Sequence, residues 1–160
     1  MLVYFLRHGP AGDAATWRGS DFDRPLTDAG AKRITREAKA LAQLEIDLDV
    51  IVTSPLVRAR QTAELVADEL KLRNSLVEDE RIGPGFSPGR LADLLEYHAD
   101  ATAIMLVGHE PSMSHTIGEI VGGATIDFKK GGIACVELAG GLPVRGTLLW
   151  LATPKMLLRD

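Results

Sequence analysis

The chain is poor in cysteine and contains no long apolar run. Cys135 is the only cysteine in 160 residues, so no disulfide can form within the chain, which suits a reducing cytoplasm. Because Cys135 lies in the strand-like apolar run 131–138, we interpret it as a buried structural thiol. No stretch approaches the roughly 20 apolar residues that a membrane-spanning helix needs. We therefore expect a cytoplasmic protein that does not bind membranes.

An excess of positive charge is also absent. The formal net charge is -4 and the isoelectric point is near 5.6, so no broad basic field is available to hold nucleic acid. No side chains have the spacing of a zinc site, and we expect no metal or other cofactor. Apolar residues make up 46% and charged residues 25%, as in ordinary globular proteins. We treat residues 1–160 as a single domain and leave its oligomeric state open.

Strand-like and helix-like segments alternate along the chain. Predicted strands fall in six short apolar segments, at 2–6, 50–52, 76–77, 103–107, 133–138 and 147–151. Predicted helices lie between them, at 28–44, 55–70, from 88 onward and at 111–121. The alternation indicates an α/β fold, a three-layer αβα sandwich with a mostly parallel central sheet. The last two strands are expected to pair as a hairpin at an antiparallel edge.

Three helix starts carry residues typical of N-caps. Thr27 precedes the first predicted helix and is placed to cap it. Ser54 and Ser87 are each followed by proline, and we interpret both pairs as a cap followed by the first helical turn.

The polar groups able to do chemistry follow three of the predicted strands. Arg7-His8-Gly9 follows the first, the segment 54–62 with Arg58 follows the second, and Gly108-His109 follows a later one. Open α/β sheets bind ligands beyond the carboxyl ends of their strands. We therefore expect two histidines and several arginines to converge there.

This combination of side chains suits phosphate chemistry. A guanidinium donates two parallel hydrogen bonds to phosphate oxygens, and a glycine such as Gly9 lets the backbone approach an anion closely. One neutral imidazole can attack phosphorus while a second donates to the oxygens that carry transition-state charge. Water then hydrolyses the phosphohistidine intermediate.

These residues resemble the signatures of the histidine phosphatase, or phosphoglycerate mutase-like, superfamily. The Arg-His-Gly signature stands here as residues 7–9, and the pattern Ser-Pro-x-x-Arg-Ala-x-Gln-Thr-Ala as residues 54–63. By matching position, the resemblance implies that His8 is the nucleophile and that Arg7 and Arg58 bind phosphate. It further implies that His109 is a second phosphate-pocket and charge-stabilising group.

Within the superfamily the chain is most similar to the SixA-type protein phosphohistidine phosphatases. Small size and the segment Asp23-Arg24-Pro25-Leu26-Thr27-Asp28-Ala29-Gly30 carry this resemblance. It implies that Arg24 lies near the phosphate. The segment between Arg60 and His109 is short, whereas sugar-phosphate mutases of this superfamily typically carry a longer insertion there that covers the substrate. An open site suits a phosphorylated side chain on a partner protein, such as a phosphotransfer or phosphocarrier domain.

The sequence offers no firm proton donor. Glu80 only loosely resembles the acidic segment that supplies the acid in the mutases. A protonated imidazole leaves phosphorus as a neutral group, whereas an alkoxide needs an acid. The pattern therefore favours phosphohistidine hydrolysis. Two alternatives stay open: a phosphatase or mutase for small phosphate esters that uses Glu80, and a non-catalytic module that binds a phosphorylated partner.

Several other polar or aromatic residues receive ordinary structural interpretations. Arg60 is expected to be a solvated ion-pair partner, and Trp17 to pack at the rim of the site. Of the remaining histidines, His98 is expected at the surface and His115 in packing contacts.

Overall fold

The computed structural model describes residues 1–158, which form one six-stranded sheet with helices on both faces. The strands are β1 (Leu2–Arg7), β2 (Val50–Thr53), β3 (Leu76–Glu78), β4 (Ala103–Gly108), β5 (Ile133–Leu138) and β6 (Gly146–Ala152). The helices are α1 (Asp28–Ala42), α2 (Val57–Glu69), α3 (Pro88–Tyr97), α4 (Ser112–Ile120) and the short α5 (Pro154–Leu157). Short 3₁₀ turns occur at Asp21–Asp23, Arg73–Ser75 and Glu80–Ile82.

The sheet is mostly parallel. Its strand order is β3-β2-β4-β1-β5-β6, in which β3, β2, β4 and β1 pair in parallel. Strand β5 is antiparallel to β1, and β6 is antiparallel to β5. The predicted α/β class and the terminal antiparallel hairpin are therefore confirmed.

Two apolar clusters fill the spaces on either side of the sheet. Helices α1 and α2 cover one face with residues such as Ile34, Leu41 and Val66. Helices α3 and α4 cover the other face with residues such as Leu91 and Met113. Because every residue of β4 is buried, that strand reads as a continuous apolar run, as expected for a parallel strand covered on both faces. This is the predicted three-layer arrangement.

Two of the three predicted caps are confirmed, and one is wrong. The Thr27 hydroxyl accepts from the Gly30 amide at the start of α1, and Ser87 accepts from the Arg90 amide at the start of α3. Helix α2 begins later than predicted, at Val57. The amide of Ser54 still donates to Val107 O of the neighbouring strand, so Ser54 continues the sheet and the chain turns only afterwards.

Among the residues given structural interpretations, two histidines differ from expectation and the cysteine agrees with it. His115 is exposed on α4 rather than packed, and His98 is half-buried at the end of α3 rather than fully at the surface. Cys135 is buried in β5 as expected, and burial raises the pKa of its thiol. Within residues 1–158, no helix is both long enough and apolar enough to cross a membrane.

Candidate active site

The two histidines of the site follow neighbouring strands. His8 comes directly after β1 and His109 directly after β4, and their ring centroids are 5.2 Å apart. The amide of His8 donates to Gly108 O at 3.0 Å, which ties the two strand ends together. Parallel pairing of β1 with β4 therefore brings together residues that are far apart in the sequence.

His8 is a buried imidazole with a defined tautomer. Its Nδ1 lies 2.7 Å from Gly9 O, and a carbonyl oxygen can only accept, so Nδ1 carries the proton. Burial lowers the pKa of His8 to about 3, and the nearby positive charges act in the same direction. The ring is therefore neutral at pH 7, with its lone pair on Nε2.

The two ring nitrogens of His109 differ in their hydrogen bonding. Its Nε2 lies 2.7 Å from Ser54 Oγ, while its Nδ1 is buried and has no hydrogen-bond partner within residues 1–158. Burial, with a further contribution from Arg58, lowers the pKa of His109 to about 4. Both imidazoles of the pair are neutral near pH 7.

Arg7 is fixed by the loop before β5. Its Nη1 donates to Phe128 O at 2.7 Å, and its buried Nε has no partner in the described part of the chain. The Gly131 amide lies close enough to donate to the carbonyl oxygens of both Arg7 and His8. Residues 128–131 thus hold the end of β1 while leaving part of this guanidinium unpaired.

Arg58 and Arg24 share one carboxylate. Asp21 accepts from Nη2 of Arg58 through Oδ2 and from Nε of Arg24 through Oδ1, both at 2.9 Å. The main-chain oxygen of Asp21 also accepts from Nη1 of Arg58 at 2.7 Å. Nε of Arg58 is buried without a partner among residues 1–158. The 3₁₀ turn at 21–23 therefore connects Arg24 to the start of α2.

Three further side chains of the segment 54–62 tie separate parts of the chain together. Ser54 contacts His109, as described above. Gln61 Oε1 accepts from the Leu26 amide at 2.8 Å, and Thr62 Oγ1 accepts from the Gly9 amide at 3.1 Å. Sequence reasoning assigned no role to Gln61 or Thr62, although both belong to the motif.

Gly9 also meets a packing constraint that the sequence does not reveal. A Cβ at this position would lie 2.4 Å from Cγ1 of Ile34 on α1. The missing side chain lets helix α1 pack against the turn after β1. Close approach of the Gly9 backbone to an anion stays a prediction beside this packing constraint.

The remaining candidates lie outside this group of contacts. Arg60 is partly exposed, with 43% of its side chain accessible, and forms a 3.5 Å ion pair with Glu78, as expected for a solvated residue. Glu80 is exposed in the turn 80–82, with no side-chain partner among the described residues. The indole of Trp17 donates to Ser20 O within the polar loop after β1. In the same described range, no group of three or more His, Cys, Asp or Glu side chains could hold a metal ion.

The five residues nominated from the sequence thus form one cluster: His8, His109, Arg7, Arg58 and Arg24. Unpaired guanidinium N–H groups next to two neutral imidazoles can bind an anion with several oxygens. A lone pair on a neutral imidazole nitrogen is a competent nucleophile toward an electrophilic centre in that anion.

Comparisons with known proteins agree with this geometry. Residues 3–82 match the family model described as histidine phosphatase superfamily (branch 1). The chain is 35% identical to an uncharacterised protein of Picosynechococcus sp. over 99% of each chain. It is 29% identical to the phosphohistidine phosphatase SixA of Escherichia coli, over 96% of this chain and 94% of that protein.

Solved structures share the same fold. The protein histidine phosphatase SixA in complex with tungstate superposes with a TM-score of 0.85 at 27% identity, over 96% of this chain and 97% of that one. The alpha-ribazole phosphatase of Shigella flexneri superposes with a TM-score of 0.77 at 17% identity, over 96% and 97%. At that lower identity the likeness concerns the fold alone.

Proposed function

The chain belongs to the histidine phosphatase superfamily, and from this starting point we propose that it hydrolyses phosphohistidine on a partner protein through a phosphorylated His8. The observation that carries the proposal is the neutral His8 ring, whose Nε2 lone pair faces no internal partner within residues 1–158. The positive charges of Arg7 and Arg58 lie close enough to lower the pKa of this ring. Similarity to SixA supports the choice of substrate.

In the first step Nε2 of His8 attacks the phosphorus of the bound phosphohistidine. The new bond joins Nε2 to phosphorus, and the bond from phosphorus to the substrate imidazole breaks. The phosphoryl oxygens are held by Arg7, Arg58 and Arg24, with His109 donating to the developing negative charge. The Gly9 carbonyl, which accepts from Nδ1 of His8, stabilises the positive charge that the ring gains.

The leaving group explains why a carboxylic acid is dispensable. When its far ring nitrogen is protonated, the substrate imidazole departs as a neutral molecule. Asp21 is an ionised carboxylate, because hydrogen bonding with Arg24 and the charge of Arg58 lower its pKa, so it has no proton to give. Two other carboxyl groups are candidates for the proton donor. Glu110 is engaged in accepting from the Ser114 amide at the start of α4, and Glu80 is exposed to solvent.

In the second step water completes the cycle. Its oxygen attacks phosphorus, the bond to Nε2 of His8 breaks, and inorganic phosphate leaves as the dihydrogen phosphate anion, which carries the oxygen and both protons of that water. The imidazole of His8 returns to its neutral form, because its pKa of about 3 disfavours the protonated ring. No metal ion is needed to balance either step.

The test compares substrates and variants in one set of assays. A phosphotransfer domain carrying phosphohistidine and a panel of small phosphate esters are given to wild type, His8→Ala and Glu80→Gln. We expect the phosphoprotein to have the highest kcat/KM, His8→Ala to hydrolyse nothing, and Glu80→Gln to match wild type. Quenching in alkali, where phosphohistidine survives, should trap the phosphoryl group on His8 in the wild type.

Two results would point to the other functions considered. Loss of ester hydrolysis in Glu80→Gln, with esters preferred over the phosphoprotein, would indicate a small-molecule phosphatase. Phosphoprotein binding without turnover of any substrate would indicate a binding module.

A further inference from the structure

Ser54 has a role that its place in the sequence does not reveal. It is fully buried, and α2 begins three residues later, so its hydroxyl does not cap that helix. Within residues 1–158, Oγ of Ser54 has two hydrogen-bond partners: the amide of Leu56 at 3.2 Å and Nε2 of His109 at 2.7 Å.

The direction of the second bond follows from accounting for each proton. The Leu56 amide can only donate, so it occupies a lone pair of Oγ. The hydroxyl proton of Ser54 then needs an acceptor, and Nε2 of His109 is the one in reach among the described residues. A buried donor without an acceptor is unfavourable. The hydroxyl therefore donates to Nε2.

The ring proton of His109 must then be on Nδ1. Burial lowers the pKa of this histidine to about 4, so the ring is neutral at pH 7 and carries one proton. Nδ1 is buried and unpaired in the described structure. The opposite tautomer would leave the Ser54 hydroxyl proton without an acceptor and would turn the unpaired Nδ1 into a lone pair.

We propose that Ser54 is a positioning residue that sets the tautomer of His109, so that Nδ1–H is available to donate to a phosphoryl oxygen. The inference rests on the proposed function, because it assigns His109 the donor role in that reaction. A lone pair on Nδ1 would repel the oxygens of the phosphoryl group. The serine of the motif thus acts through the second histidine and does not touch the substrate.

The direct test is nitrogen NMR of the histidine rings in the wild-type protein. The chain has four histidines, and comparison with His109→Gln assigns the signals of His109. We expect Nδ1 to show the chemical shift of a protonated ring nitrogen and Nε2 that of an unprotonated acceptor. A wild-type ring protonated on Nε2 would overturn the proposal without reference to any variant.

The variant Ser54→Ala tests control of the tautomer and its consequence for catalysis. Without the hydroxyl we expect His109 to populate both tautomers, and kcat to fall about 10- to 100-fold, as when one transition-state donor is weakened. KM should change less than kcat. A single Nδ1–H tautomer that persists in Ser54→Ala, or an unchanged kcat, would contradict the proposal.

Ser112→Ala is the matched control. Its hydroxyl donates to the main-chain oxygen of His109 at 3.1 Å and does not touch the ring. In Ser112→Ala we expect the His109 tautomer and kcat to match those of wild type. An equal fall of kcat in Ser112→Ala and Ser54→Ala would mean that general packing is responsible. If the tautomer behaves as expected while wild type turns over no phosphate substrate, the proposed function fails and control of the tautomer stands.

Discussion

The carboxylate of Asp21 lies against the guanidinium of Arg58, with Oδ2 at 2.9 Å from Nη2. The same carboxylate accepts from Nε of Arg24. Asp21 therefore forms ion pairs with two arginines that we assign to phosphate binding. Asp21 itself remains largely exposed, with 60% of its side chain accessible. A phosphoryl group entering this cluster must bind next to a fixed negative charge.

The neutral variant Asp21→Asn should bind inorganic phosphate more tightly. Asn retains an acceptor oxygen, and the main-chain oxygen of residue 21 still accepts from Arg58, so the arginines stay in place while the repulsion disappears. For a solvent-exposed charge the gain is modest, about fivefold in the dissociation constant. Competitive inhibition by phosphate measures it, with Asp23→Asn in the same turn as the control. Weaker phosphate binding in Asp21→Asn would show that the carboxylate is needed to hold the arginines.

His8 should make the protein less stable in acid. Its pKa is about 3 in the folded protein and near 6.5 when unfolded. Between these values the unfolded chain binds a proton that the folded protein does not, so stability falls as the pH is lowered from 6.5 to 3. For one such histidine the free energy of unfolding changes by about 1.4 kcal/mol per pH unit.

The variant His8→Gln, which has no titrating ring, isolates this contribution. Denaturant unfolding measures the free energy of unfolding between pH 6 and pH 4. As the pH is lowered, this free energy should fall less steeply in His8→Gln than in wild type, and the difference in slope should correspond to about one proton. Parallel stability curves for the two proteins would mean that His8 titrates normally in the folded state.

Glu37 should have the opposite dependence on pH. This carboxyl of α1 is buried beside Arg33 and Gly131, and burial raises its pKa from 4.5 to about 7. Between these values the folded protein keeps a proton that the unfolded chain has released, so stability is lost as the pH rises from 4.5 to 7. Between pH 4.5 and pH 7, the free energy of unfolding of Glu37→Gln should therefore rise by about 3 kcal/mol relative to that of wild type. A stability difference that does not vary with pH would exclude a titrating Glu37.

Thr62 should matter for activity through the main chain of Gly9. Thr62→Val has nearly the same shape but leaves the buried Gly9 amide without its acceptor, at a cost of about 1–3 kcal/mol in stability. Because the Gly9 carbonyl orients His8, kcat should fall as well, about tenfold for a displaced nucleophile.

The control for Thr62 is Thr35→Val on α1. That hydroxyl donates to the Ala31 oxygen one helical turn earlier and has no contact with the site. We expect the catalytic parameters of Thr35→Val to equal those of wild type. Normal kcat in Thr62→Val would show that the Gly9 turn keeps its shape without the threonine.

Much of the fold was predictable because apolar periodicity is local. Strands such as β4, buried on both faces, appear as uninterrupted apolar runs, and Thr27 and Ser87 show ordinary cap patterns. The position of the site beyond the strand ends follows from the same alternation of strands and helices. The sequence alone therefore predicts that His8 and His109 lie near each other.

The contacts within the site were less predictable, because they join segments that are remote in sequence. Ser54 followed by Pro55 has the local pattern of a cap, and only the pairing of β2 with β4 places its hydroxyl on His109. Asp21 lies in a loop without periodicity, so nothing in the sequence indicates its contact with Arg58. Gly9 was explained by anion approach, whereas the nearness of Ile34 depends on how α1 packs.

The strand order also sets when the reactive end of β1 can be assembled during synthesis. Strand β1 leaves the ribosome before the other strands of the sheet, yet it pairs with β4 on one side and β5 on the other, so that Leu2 lies opposite both Ala103 and Glu137. Contacts that span most of a chain form slowly. The newly made apolar strand must wait until β4 and β5 have emerged. A nascent chain halted before β5 would therefore be a natural client for chaperones and would lack phosphatase activity.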